Sequence, residues 1–195
     1  MENGDRIKLI ILISLCREKL HELEFVNPIA EIVRAETRDF EIVNYKATSL
    51  KDIEKADKII ICGTSLADFD YLKHLENFEW IKNCKKPILG ICAGAQIIAL
   101  VFSSKLRKMQ EIGMIKVKFD EEFFGINQEI EAYSLHNLGF KKIGEELQPV
   151  AFSEKGVEAF KHNSKHIYGI LFHPEVKNKR IAGNKNSWRM EIELN

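Results

Sequence analysis

No stretch of this chain is apolar for long enough to cross a bilayer. The apolar segment near its start, Leu9 to Cys16, falls well short of the roughly 20 residues that a membrane helix requires, and Glu2 and Asp5 precede it. A secretory leader is disfavoured too, because Leu15 stands where processing wants a small residue. Cysteine is scarce: Cys16, Cys62, Cys84 and Cys92 show neither C-x-x-C spacing nor the density of a disulfide scaffold. That usage fits a reducing cytoplasm. Net charge is missing as well, since 29 basic and 29 acidic residues cancel. Lys85-Lys86 and Lys141-Lys142 read as solvated surface, so no nucleic-acid partner is expected. The 11 glycines and 4 prolines of the 195 residues do not gather into a linker, and no repeat or low-complexity tract appears. One domain spanning residues 1–195 is the expectation, with ample length for a core.

Short β-branched runs alternate with helical patterns in the first half. Ile7 to Leu15, Phe40 to Tyr45, Lys58 to Cys62 and Pro87 to Ile91 read as strands. Asn27-Pro28 marks one helix start, Ser49 with Asp52 another, and Asp70 to Cys84 a third helix. After about Ser103 the chain turns strand-rich, through Met114 to Phe119, Glu129 to Ser134, Val150 to Ser153, Val157 to His162 and Ile167 to Phe172. The pattern predicts an α/β fold: a central, mostly parallel sheet with helices on both faces and an antiparallel, strand-rich extension. Chemistry in such folds sits at the carboxyl ends of the strands.

Two segments place reactive side chains there. In Pro87-Ile-Leu-Gly-Ile-Cys92-Ala-Gly-Ala-Gln96, a cysteine stands between a strand and a helix, with Gly90 and Gly94 at i−2 and i+2. This is the layout of a nucleophile elbow, in which the helix N-terminus favours a thiolate. A buried, inert cysteine at a strand end is the bland alternative. The second segment, Ile167 to Val176, ends an apolar run in His173-Pro-Glu175. It supplies the imidazole that a thiol nucleophile needs and a carboxylate to orient that imidazole. His136 has no carboxylate at a useful offset, and His21, His74, His162 and His166 lie in polar contexts. No pair has metal-ligand spacing, so neither a metal nor a cofactor is expected.

Together the two segments resemble the class I glutamine amidotransferases, whose pattern joins G-[apolar]-C-x-G-x-Q to a downstream F-H-P-E, here Gly90 to Gln96 and Phe172 to Glu175. The resemblance covers nearly the whole chain. It implies a Cys92-His173-Glu175 triad that hydrolyses L-glutamine to glutamate and ammonia. It also implies an oxyanion hole from the Ala93 amide and the loop Cys62-Gly63-Thr64-Ser65, which stands for the family's S-G-G-P. Gly63 matches, whereas Thr64 replaces the second glycine and is expected to strain or disorder the hole until a partner or substrate sets it. Gln96 matches a substrate-contacting glutamine. Tyr133-Ser-Leu135-His136-Asn137 resembles a W-x-S-H-x-D loop that binds substrate through its backbone, with Leu135 in place of serine.

Ammonia is useful only where a neighbouring site captures it, and no phosphate-binding motif for activating an acceptor is present. A partner synthase subunit is therefore implied. Val157 to His162, Ile167-Tyr-Gly169 and His173 to Val176 resemble the separate glutaminase subunits of archaeal-type GMP synthases, with Leu171 in place of a glutamine. A glutaminase for another synthase such as anthranilate synthase, a stand-alone γ-glutamyl amide hydrolase, and a noncatalytic regulatory module remain open on sequence alone.

Overall fold

The computed structural model describes residues 9–35 and 39–176. Ile7 at the expected start of the first strand, and the polar tail from Lys177, lie outside the described residues. Nine strands form one sheet: β1 (Leu9–Ser14), β2 (Asp39–Asn44), β3 (Lys58–Ile61), β4 (Ile88–Ile91), β5 (Lys105–Phe119), β6 (Ile130–Lys142), β7 (Leu147–Ser153), β8 (Gly156–His162) and β9 (Ile167–Ile170). Their order is β2-β1-β3-β4-β9-β8-β7-β5-β6. The first five in that order are parallel, and the remaining pairings are antiparallel. The expected parallel centre with an antiparallel extension is what forms.

Alternation along the strands explains why both faces are covered. On one face Ile11, Ile13, Ile59, Ile61 and Ile88 pack with Ile53 of α3 (Leu50–Lys55) and Ile97 and Ile98 of α4 (Ala93–Val101). On the other, Ile10, Leu12, Ile60, Leu89 and Ile91 meet Phe25 of α1 (Glu22–Phe25) and Ile29 and Val33 of α2 (Asn27–Ala35). Residues i and i+1 of a strand point to opposite faces, so an unbroken apolar run is what a doubly covered strand needs.

Local signals placed most of the helices. The Ser49 side chain accepts from the Asp52 amide while the Asp52 carboxylate accepts from the Ser49 amide, a complete capping box that starts α3. Asn27 and Pro28 open α2, where the missing proline N–H costs nothing. The expected helix over Asp70 to Cys84 is instead two 3₁₀ segments, Asp70–Lys73 and Leu75–Asn83. The reason lies in the spacing of its apolar residues. Leu72, Leu75, Phe78, Ile81 and Cys84 recur every third residue and pack on one core, and a three-residue repeat keeps them on one face only at three residues per turn.

Among the described residues, no helix is long and apolar enough to cross a membrane. A very close backbone contact lies where α4 crosses the strand ends. A Cβ built on Gly94 would sit 2.0 Å from the Ile61 carbonyl oxygen, and one on Gly90 would sit 2.6 Å from the Gly94 backbone. On an exposed helix, Gly→Ala gains about 1 kcal/mol. Here Gly94→Ala is expected to lose about 3 kcal/mol or more, since neither backbone can move away. Urea denaturation of the variant beside the parent checks the sign.

Candidate active site

Cys92 is the residue between β4 and α4, and its backbone is at φ 50° and ψ −108°. That is the sharp, disfavoured turn of a nucleophile elbow, held by Cys92 N–H donating to the Ile170 carbonyl at 2.8 Å. The thiol lies at the N-terminus of α4, where unpaired amides and the helix dipole favour negative charge. It donates to the Leu135 carbonyl at 3.6 Å. All four cysteines are free and buried.

His173 comes off the end of β9 and is fixed by its amide, which donates to the Tyr133 carbonyl at 2.8 Å. Its ring lies against Phe25 of α1 at a centroid distance of 5.9 Å. Nδ1 is 2.7 Å from Glu175 Oε1, and both side chains are buried. Burial opposes charge on the His173 imidazole, but Cys92 and then Glu175 outweigh it and raise its pKa well above the ordinary value. Nε2 makes no completed hydrogen bond, so the nitrogen opposite the carboxylate is left for the thiol and a substrate. Gly63 sits between the two reactive groups. A Cβ there would lie 3.3 Å from His173 Cε1 and 3.4 Å from Cys92 Cβ.

The loop after β3 departs from expectation. Among the described residues the non-glycine positions with positive φ are Cys92, Ser103 and Phe124; Thr64 is not one of them, so the threonine imposes no left-handed strain. The loop is pinned on both sides. Asp68 Oδ2 accepts from the Thr64 hydroxyl at 2.9 Å and from the Arg17 amide at 2.8 Å, and Asn137 donates to the Leu66 carbonyl at 3.1 Å. Cys16 also donates weakly to the Gly63 carbonyl at 3.8 Å. These bonds straddle β1 and β3, where the strand order reverses and open α/β sheets form their crevices.

Thr64, Ser65, Asp68, Tyr71, Cys92, Ala93, Gln96 and Leu135 to Leu138 line a small, half-open cleft. Gln96 is buried in its wall: Oε1 accepts from the Tyr71 hydroxyl at 2.5 Å and Nε2 donates to the Leu138 carbonyl at 3.1 Å. Its side chain is thus engaged by the protein. Tyr133 to Asn137 is not a loop but part of β6, with Leu135 paired to Ile112 and His136 to Glu111. Leu135 brings only its carbonyl to Cys92. The His136 ring points away into the protein, with Nδ1 3.1 Å from the Met109 carbonyl. Burial pushes its pKa down to about 4 against that bond, which leaves it no rival to His173.

Asp68, Tyr71 and Phe25 carried no motif and were invisible in the sequence, as were Glu111 and Glu158, which the fold brings beside His136. One cue existed for Tyr71, which stands one step before the apolar series of period three.

An elbow thiol near a carboxylate-bound imidazole on a doubly covered α/β sheet is an arrangement suited to cysteine-dependent acyl transfer. The chain belongs to the class I glutamine amidotransferases: residues 21–185 match the family described as Glutamine amidotransferase class-I. It is 39% identical over 137 residues to the glutamine-hydrolysing GMP synthase subunit of Methanococcus vannielii, covering 67% of this chain and 71% of that one. Over a shorter span of 96 residues it is 40% identical to the γ-glutamyl-CDP-amidate hydrolase of Campylobacter jejuni, covering 48% of this chain and 45% of that one. A crystal structure of a protein assigned as a GMP synthase subunit from Thermoplasma acidophilum superposes with a TM-score of 0.79 at 25% identity, covering 89% of this chain and 87% of that one.

Because Cys92 is the largest upward influence on His173, removing the thiol leaves burial opposed by Glu175 alone. In Cys92→Ala the His173 pKa is expected to fall. Imidazole NMR titration of parent and variant measures the shift, and an unchanged titration would separate the two groups electrostatically.

Proposed function

We propose that this chain is the glutaminase subunit of a two-subunit GMP synthase, releasing ammonia from L-glutamine for a partner that activates the acceptor. The observation that carries the chemistry is the strained Cys92 elbow beside a buried His173–Glu175 pair. In this reading the thiol hydrogen moves from the Leu135 carbonyl to His173 Nε2, whose raised pKa holds it, and the resulting thiolate Sγ attacks the side-chain amide carbon of glutamine. His173 passes that proton to the departing ammonia, then takes one from the water that cleaves the glutamyl thioester. Glu175 accepts from His173 Nδ1–H and stabilises the imidazolium.

The Ala93 amide at the start of α4 and an amide of the Gly63-Thr64 loop are the assigned oxyanion donors. The bonds through Asp68 and Asn137 support a loop already set in shape, rather than one that waits for a partner. Gln96 serves as a brace of the cleft wall, and the β6 backbone at Leu135 and His136 faces the substrate. The GMP synthase assignment rests on the archaeal relatives and on Val157 to Val176. Four unpaired cysteines suit a reducing cytoplasm.

A second reading, a stand-alone hydrolase of γ-glutamyl amides, is favoured by the Campylobacter relative alone. Glutamate release from L-glutamine, with and without an archaeal-type nucleotide-activating GMP synthase subunit, separates the two. Stimulation by that subunit is expected. Partner-independent turnover of larger γ-glutamyl amides in preference to glutamine would favour the hydrolase. Cys92→Ala should lose about 10⁴-fold or more in kcat, and Glu175→Gln about 10³-fold.

A further inference from the structure

Three buried side chains that the proposed reaction does not use meet behind the active-site strand β6. Glu111 of β5, His136 of β6 and Glu158 of β8 each offer one ligand atom, and these atoms lie within 4.8 Å of one another. Glu111 and His136 are direct cross-strand partners just after a β-bulge in β5, a device that re-aims side chains. We propose that Glu111, His136 and Glu158 form a binding site for a divalent transition cation of the zinc class.

The tautomer of His136 argues first. Its Nδ1 faces the Met109 carbonyl at 3.1 Å, so that nitrogen carries the proton and Nε2 presents a lone pair. A ring N–H donated to a backbone carbonyl is the usual support of a metal-bound histidine. Nε2 lies 3.6 Å from Glu111 Oε2, close to the edge of about 3.4 Å of a tetrahedron with bonds of about 2.1 Å.

Unmet polar demand argues second. His136 Nε2, Glu111 Oε2 and Glu158 Oε2 are all buried without a hydrogen-bond partner, as is Ser134 Oγ two residues before His136 on the same strand. Besides each other, the two carboxylates have one hydroxyl partner, Ser153, which donates to Glu158 Oε1 at 2.9 Å. The nearby cation Lys155 donates to the Gln110 carbonyl and acts on Glu158 through its charge alone. Buried carboxylates with so few partners are costly. A single shared proton would cancel one charge, whereas a divalent cation cancels both. Nitrogen and carboxylate donors suit zinc, manganese or iron rather than the soft copper(I) ion. Such an ion would tie β5, β6 and β8 together next to Leu135, whose carbonyl holds the Cys92 thiol.

The test is Co²⁺ titration of chelator-stripped chain, read by visible d–d absorption and by metal analysis. One equivalent per chain is expected. Glu158→Gln and Glu111→Gln, each checked for folding by circular dichroism, should weaken binding by about a hundredfold or more, and Cys92→Ser should leave it unchanged. If one glutamine variant does not fold, the other carries the test. A thiolate-to-cobalt band lost in Cys92→Ser, or uptake undiminished in the folded glutamine variants, would overturn the site. No uptake, with an infrared band of a protonated carboxyl lost in Glu158→Gln, would assign the cluster to a shared proton and overturn it equally.

Discussion

The close approach of α4 to the ends of β3 and β4 is the constraint on which the site depends. Contact between the α4 backbone and Ile61 is possible only without side chains at 90 and 94, and it forces the chain to reverse within one residue. That residue is Cys92, at φ 50°. A turn of this kind costs on the order of 1–3 kcal/mol. Ile97 and Ile98 of α4 are fully buried and contribute about 2 kcal/mol each, so helix burial suffices to hold the strained turn. The thiol is thereby fixed at a helix N-terminus, independent of any ligand.

The rest of the site converges on that point through parallel strands that end together. Tyr45, Phe78 and the isoleucines of β1, β3 and β4 make the platform rigid, and loops leaving its edge supply Gly63, Asp68 and Arg17. From the other side, β9 delivers His173 through the bridge to Tyr133. Burial makes this convergence chemically useful. The imidazole is nearly sealed from water, between a thiol and a carboxylate, so its charge is governed by those two neighbours.

Features set by neighbours in sequence were legible before the structure. The Ser49–Asp52 capping box, the Asn27-Pro28 helix start, the parallel strands and the Gly90-Cys92-Gly94 spacing each follow from a local steric or hydrogen-bonding rule. Features set by register across the sheet were not. The pairing of Glu111 with His136 depends on an extra residue in β5 between Lys108 and Glu111, which no composition signal marks. The role of Asp68 depends on a loop crossing from β3 to β1. The segment after Asp70 was misread for a different reason: its period of three lies close enough to 3.6 to pass for an α-helix. Thr64 was expected to be strained because a family glycine stood there, but the loop uses a backbone shape open to any residue.

As the proposed nucleophile, Cys92 forms a covalent bond with the side-chain carbonyl carbon of glutamine. Mass spectrometry of the chain, quenched in acid within its first turnovers on L-glutamine, tests it most directly. A glutamyl adduct confined to the peptide that carries Cys92 is expected, accumulating further in Glu175→Gln, where water is activated poorly. Glutamate formation without any such adduct, or an adduct on Cys16, Cys62 or Cys84 instead, would contradict it.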